Sequence, residues 1–290
     1  MVLPWISTLF QPSDIGTRPD ESGALPMPRP IFLCAYLILE IFAGTAKLTS
    51  AARRCDLNCD PWDVLLGPKF DLLVPRNVRR LLNLVRSRHV VIIWLGTPCV
   101  TLSRARKWDG RGPPPLRDSV DVTCPATWIT SARDKLAVTQ ANSLVELSAD
   151  LIDLITAVGG FYVIENPLTS RLWVYPYLAE ALIRTGAVFV NLDFCCWLVE
   201  SELIGGLPWL KPITLAGTLP GLPSLRKQCS NRHWCSHHQR PHRSLVGKNE
   251  HGAFWTKLAE PYPDALCTAV AHLFAAAVHS ATRGAAGTDV

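Results

Sequence analysis

Residues 89–99 read His-Val-Val-Ile-Ile-Trp-Leu-Gly-Thr-Pro-Cys, and residues 160–167 read Gly-Phe-Tyr-Val-Ile-Glu-Asn-Pro. Each is a short apolar run, rich in β-branched and aromatic residues and closed by turn-forming residues. That is the pattern of a strand buried on both faces of a parallel sheet. The first run delivers Cys99 at its end and the second delivers Glu165. Open α/β sheets place their sites outside the carboxyl ends of such strands, so a thiol and a carboxylate are expected together at two strand tips. A third run, Leu37 to Phe42, leads into Ala43-Gly44-Thr45-Ala46. This small-residue turn ahead of a helix is the usual cradle for a nucleotide-like cofactor.

Working outward, Ala46 to Cys55 reads as the helix after that turn, and Pro75 to Ser87 as an amphipathic helix opened by its proline. Asp134 to Val158, Thr169 to Thr185 and Glu260 to Ser280 read as helices, and Ala187 to Asp193 as a further strand. Alternating strands and helices predict an α/β fold with a mostly parallel, Rossmann-like sheet. The predicted core spans 31–204. Residues 1–30 are proline-rich without a period, a disordered leader, and 205–250 form a loop-rich Cys/His appendage. The segment 251–290 is expected to return to the core as a helix. Thr97 to Pro125 should be a long loop directly after Cys99, a length that is uncommon without a function.

The 290 residues, 48% of them hydrophobic, suffice for one large domain and exclude a disordered chain. Net charge is +5, but from Arg76 to Arg117 nine Arg and one Lys face the single acid Asp109. From Arg226 to Lys257 seven bases face Glu250. Both stretches flank the expected site, where a polyanion would lie. Ten cysteines are too sparse for a disulfide scaffold. The first thirty residues lack the basic start and small-residue cleavage site of a secretory signal. An intracellular, reducing compartment, nucleus or cytoplasm, is expected. The most apolar window, Ile31 to Phe42, is interrupted by Glu40 and is shorter than the ~20 residues of a spanning helix, so no membrane contact is expected. No obligate protein partner is evident.

At this point the chain resembles the DNA cytosine-5 methyltransferases. In that family Asp/Glu-Leu-Phe-Ala/Ser-Gly-x-Gly binds S-adenosylmethionine, Pro-Cys carries the nucleophile and Glu-Asn-Val or Glu-Asn-Pro the glutamate. Here they stand as Glu40-Ile41-Phe42-Ala43-Gly44-Thr45-Ala46, Pro98-Cys99 and Glu165-Asn166-Pro167. A divergent branch found in phages, retroelements and protists is closer still: it carries Gly-x-Pro-Cys-x-x-x-Ser-x-Ala-Arg and Glu-Asn-Pro-x-x-Ser-x-Leu-Trp. Gly96 to Arg106 match the first block, and Glu165 to Pro167, Ser170, Leu172 and Trp173 the second. The likeness covers roughly residues 35 to 275.

The resemblance implies methyl transfer from S-adenosylmethionine to carbon 5 of cytosine in DNA. It assigns Cys99 as nucleophile, with Glu165 and Asn166 beside it. Glu40, Phe42, Ala43, Gly44, Thr45 and Pro98 would hold the cofactor, with Asp63, or failing it Asp71, on the ribose. Arg104, Arg106, Arg111 and Lys211 would meet nucleic acid, and the first two would lower the thiol's pKa. Cys229-x5-Cys235 followed by His237, His238 and His242 offers thiolate and imidazole donors suited to zinc. In the resembling branch Cys229, Cys235 and His242 would be joined by a cysteine at the preceding strand's end, here Cys195, with Cys196 or His238 as substitutes.

Departures accompany the matches. Where the branch carries Asp-Gln-Cys and then aromatic-Gly-x-Pro-x-Arg-Lys-Pro-Thr, this chain reads Asp193-Phe194-Cys195 and, after an insertion, Leu207-Pro208-Trp209-Leu210-Lys211-Pro212-Ile213. Polar groups are thereby lost. The alternative is a catalytically weak nucleic-acid-binding relative of mobile-element origin. An amino-group methyltransferase would want Asn/Asp-Pro-Pro-aromatic at a strand end, and no such tetrapeptide occurs.

Overall fold

The computed structural model describes residues 36–87, 89–104, 106 and 114–286, with the side chains of 281–286 left aside. The expected leader and Arg111 lie outside the described residues. Six strands form the central sheet: β1 (Leu37–Ile41), β2 (Cys59–Trp62), β3 (Val90–Leu95), β4 (Phe161–Pro167), β5 (Val188–Asp193) and β6 (Pro212–Gly217). Their spatial order is β2-β1-β3-β4-β6-β5. The first four run parallel, and β6 lies antiparallel between β4 and β5. The architecture is thus the expected α/β, Rossmann-like one, with one inverted strand.

Helices cover both faces. On one side pack α1 (Lys47–Arg54) and α6 (Asp264–Ala286), burying Leu48, Ala52, Leu266, Val270 and Phe274 against Ile38, Ile92, Trp94 and Val163. On the other lie α2 (Pro75–Arg86), α3 (Ala132–Ala157) and α4 (Pro176–Arg184), against Leu39, Ile41, Ile93, Leu95, Tyr162 and Ile164. Pro75 opens α2 at a position whose N–H has no helical partner. Leu81 and Val85, one turn apart, are fully buried, each contributing about 1.5–3 kcal/mol of apolar burial. Ser131 caps α3 by accepting the Asp134 N–H at 3.3 Å.

Strand periodicity decides which face each site residue meets. Leu39 and Ile41 face α2 and α3, so Glu40 between them points to the α1/α6 side. There it is 1% exposed, and its Oε2 accepts the Thr49 N–H (2.7 Å) and hydroxyl (2.5 Å) while Oε1 has no partner among the described residues. Burial above all pushes its carboxyl from 4.5 up to about 7. An acid raised in the folded state holds its proton where the unfolded chain has lost it, so stability falls as pH climbs from 4.5 to about 7 and stays low above. That rise corresponds to about 3 kcal/mol. Glu40→Gln, whose amide oxygen still accepts from Thr49, should remove this slope. Urea midpoints at pH 5 and pH 8 check it: the wild type should lose more stability between them than the variant.

The expected appendage begins too early. Residues 212–217 are not loop but β6, paired along its length with both β4 and β5. Pro-Ile-Thr-Leu-Ala-Gly is short and proline-led, and its sheet position sits out of chain order. The small unit itself carries β7 (Trp234–Cys235) and β8 (Arg240–Pro241), a two-stranded ribbon, before the short α5 (Trp255–Leu258). The expected helix over 169–185 is instead a 3₁₀ turn at 171–174 followed by α4, because Pro176 prevents a continuous helix from passing Tyr175.

Candidate active site

The carboxyl ends of β1, β3 and β4 converge. Leu95 pairs with Ile164, so Gly96 and Thr97 continue beside Glu165 and Asn166. Asn166 joins the two ends: its Nδ2 donates to the Thr97 carbonyl at 2.7 Å and to the Glu165 carbonyl at 3.0 Å. Thr97 in turn shares a 3.0 Å hydroxyl contact with Ser148 of α3. After Pro98 the chain turns sharply, with the Cys99 carbonyl accepting the N–H groups of Leu102 (2.9 Å) and Ser103 (2.8 Å). Gly96 has no room for a side chain. A Cβ there would meet the Phe42 carbonyl at 2.9 Å and the Tyr262 hydroxyl at 3.0 Å.

Cys99 and Glu165 feel one another. The thiol is held above its ordinary pKa by burial first and by the Glu165 charge second, with Lys211 acting the other way. Glu165 is also raised, by burial, against the opposing effects of Lys211 and of the Tyr262 hydroxyl, which donates to Oε2 at 3.0 Å. Lys211, expected on nucleic acid, therefore acts electrostatically on both reactive groups. Its ammonium reaches the carbonyls of Ala259 (3.3 Å) and Glu260 (3.4 Å) and lies 4.8 Å from the centre of the Phe194 ring.

The expected lowering of Cys99 by Arg104 and Arg106 is corrected. Neither is among the main causes of the thiol's shift, which is upward. Arg106 donates to the Pro114 carbonyl at 2.8 Å, and Arg104 lines a separate hollow with Asp121, Thr123 and Arg171. The residue that holds the loop is one the sequence hid. Arg117 is 1% exposed, and its guanidinium donates to Thr101 Oγ1 (2.9 and 3.1 Å), the Val122 carbonyl (2.5 Å) and Asn142 Oδ1 of α3 (2.6 Å). Burial brings it down to about 10, which leaves it charged at neutral pH. It thereby ties the segment two residues past Cys99 to α3.

On the α2/α3 side of these strand ends lies a hollow of about 270 Å³ lined by Phe42, Trp62, Asp63, Phe70, Gly96 and Pro98, with Asp71 among the remaining residues of its wall. Phe42 adopts φ +60°, a left-handed conformation rare for an aromatic residue, and its N–H donates to the Trp62 carbonyl at 2.7 Å. Asp63 bridges the ends of β1 and β2, accepting Gly44 N–H on Oδ2 and Leu65 N–H on Oδ1, both at 2.9 Å. Gly44 itself needs φ +53°, a conformation glycine enters freely. Of the residues expected around a cofactor, Phe42, Asp63 and Pro98 meet the hollow. Ala43 is buried beside it and Thr45 is exposed. Glu40 is the exception, turned to the opposite face by the strand's alternation. An aromatic-walled hollow with a carboxylate at its rim fits the adenosine of S-adenosylmethionine.

A second constellation lies beyond β5. Ligand atoms of Cys195, Cys229, Cys235 and His242 all fall within 4.8 Å of one another. Tetrahedral zinc with sulfur at about 2.3 Å needs donor separations of about 3.8 Å, the distance between Cys229 Sγ and His242 Nε2. His242 Nδ1 lies 2.9 Å from the Arg232 carbonyl, which fixes the tautomer that leaves Nε2 free to bind metal. The donor set fits zinc. The substitutes fall outside it: His238 Nε2 turns to the Cys195 carbonyl at 3.0 Å, and Cys196 is not one of the four.

No protein-family model and no curated protein matches this sequence. Solved structures with a similar fold include the Entamoeba histolytica methyltransferase EhMeth, at 13% identity over 72% of this chain and 58% of that one, with a TM-score of 0.35. Schizosaccharomyces pombe Dnmt2 methyltransferase matches at 9% identity over 62% and 49%, TM-score 0.33. A mutant of Spodoptera frugiperda DNMT2 matches at 12% over 74% and 60%, TM-score 0.36. The chain spans about half to three-fifths of the length of these proteins. At such distances the chemistry rests on the site's own geometry. Among the described residues, no helix is long and apolar enough to cross a membrane.

Proposed function

We propose that this protein transfers a methyl group from S-adenosylmethionine to carbon 5 of cytosine in DNA through a covalent adduct on Cys99. The observation that carries the reading is the docking of two motif-bearing strand ends by Asn166 onto Thr97, with the Cys99 thiol, the Glu165 carboxyl and the Lys211 ammonium within electrostatic reach of one another. Cytosine carbon 5 is a poor nucleophile. A thiolate adding to carbon 6 makes it electron-rich, and loss of the carbon 5 proton later expels the thiolate. Glu165 supports the electron-rich ring through hydrogen bonds at ring nitrogen 3 and the exocyclic amine. Bound in the hollow at Phe42, Asp63 and Pro98, the cofactor supplies an electrophilic methyl group. The target base is inaccessible in a stacked duplex and must be flipped out or single-stranded. On its sequence, the Arg-bearing segment after Cys99 is our candidate to close on it.

The test is incubation with tritiated S-adenosylmethionine and DNA containing 5-fluorocytosine, whose fluorine blocks elimination and traps the thiol adduct. A labelled covalent band supports the reading. DNA binding without a band makes the protein the catalytically weak relative instead. Cofactor binding is tested separately by calorimetry: Phe42→Ala should weaken S-adenosylmethionine binding by about 1 kcal/mol or more, the worth of an aromatic contact. Unchanged affinity in that variant would remove the assignment of this hollow. Zinc at Cys195, Cys229, Cys235 and His242 completes the proposal as a structural ion.

A further inference from the structure

Tyr262, in the turn before α6, lies 97 residues from Glu165 in sequence and 168 from Trp94, yet its hydroxyl joins them. It donates to Glu165 Oε2 at 3.0 Å and accepts the Trp94 indole N–H at 3.1 Å. An indole nitrogen can only donate, so it takes an acceptor position on the phenol oxygen, and the phenol's proton goes to the carboxylate, which when ionised has none to give. Strand alternation makes the meeting possible, since Trp94 and Glu165 both point to the α6 face. The ring is fixed by edge-to-face packing on Trp94 (5.9 Å, 79°) and Phe194 (6.2 Å, 83°), and Phe194 also seats Lys211. Gly96 completes the arrangement, because a Cβ there would stand 3.0 Å from the hydroxyl.

We propose that Tyr262 is a positioning residue for Glu165: by occupying Oε2 it reserves Oε1 for the edge of the bound base. This rests on the cytosine reading given above. Oε1 then donates to ring nitrogen 3 when Glu165 is protonated and accepts from the exocyclic amine when it is ionised, so one oxygen serves both states. The groups facing the carboxyl are Cys99 from the β3 end, Lys211 ahead of β6 and Tyr262 ahead of α6. Burial holds Glu165 up and the phenol draws it down, as a donor to the ionised form must.

Tyr262→Phe keeps the ring packing and removes only the hydroxyl. The carboxyl stretch of Glu165, isolated in infrared spectra by subtracting Glu165→Gln, should titrate at higher pH in Tyr262→Phe than in the wild type. In the methylation assay kcat should fall about 10-fold to 100-fold, with the KM for S-adenosylmethionine unchanged. Gly96→Ala, which displaces the hydroxyl without deleting it, should move the infrared midpoint the same way. An unmoved midpoint in both variants overturns the proposal. A moved midpoint in a protein that methylates no cytosine leaves Tyr262 holding Glu165 and overturns the cytosine reading alone.

Discussion

Cys99→Ser is expected to abolish both the fluorocytosine-trapped adduct and methyl transfer, a fall of at least about 10³-fold, while DNA binding persists. Serine keeps the shape but is a far weaker nucleophile, since its hydroxyl does not ionise near neutrality. The wild-type pH profile carries a second expectation. Burial and Glu165 hold the Cys99 thiol above its ordinary value, so the free protein has little thiolate at pH 7. Activity should then climb toward alkaline pH, close to tenfold per pH unit below the thiol's pKa, because the thiolate fraction does. Lys211 is the opposing positive charge. Lys211→Met should therefore push the thiol up further and lower the rate by the same factor at every pH below the thiol's pKa. Single-turnover rates across pH 6.5 to 9 would show this. A Cys99→Ser protein that still forms the trapped adduct would place the nucleophile elsewhere.

What could be read from sequence followed from locality. Runs such as Val90–Leu95 and 161–164 are apolar throughout because helices cover both faces of the sheet, so their ends, and with them Cys99 and Glu165, were legible before any coordinates. The site's wider circle was not. Tyr262 reaches Glu165 across a long chain separation, and nothing near Pro261-Tyr262-Pro263 marks a buried hydroxyl. Arg117, in a Pro- and Arg-rich loop, reads as solvent-facing, yet it is buried on neutral acceptors. Glu40 shows the opposite error: a motif match suggested a cofactor contact, while the alternation of Leu39, Glu40 and Ile41 already assigned it to the other face. Lys211 was assigned to nucleic acid through the family resemblance, but a motif match does not say which side chains a lysine will pack beside. The inverted strand β6 escaped notice because its six residues are flanked by loop-like composition and its place between β4 and β5 is set only by tertiary pairing.

The other large effect concerns the metal. Protein purified without added zinc should carry about one zinc per chain by elemental analysis, and stripping it with a strong chelator should loosen residues 226–254 while the sheet survives. The physical reason lies in what else holds this segment. Its ribbon, β7 with β8, has two residues per strand, and the nearby apolar cluster is centred on just Leu198, Trp209 and Ala259. So little burial and so few ladder bonds do not offset the entropy of ordering a loop-rich stretch. A structural zinc would, since metal binding in small zinc units supplies on the order of 10 kcal/mol. The four donors also explain attachment: Cys195 follows β5, while Cys229, Cys235 and His242 belong to the small unit, so one ion would join the segment to the sheet. Asp193 strengthens that joint by accepting the Cys229 N–H at 2.8 Å. Cys235→Ser, at a buried ligand, should therefore mimic the chelator, with limited proteolysis cutting within 226–254 while the strands of the sheet stay resistant. Protein that is metal-free yet protease-resistant across the segment would refute the ion. Zinc retained at one per chain after Cys235→Ser and His242→Ala together would place it at other residues.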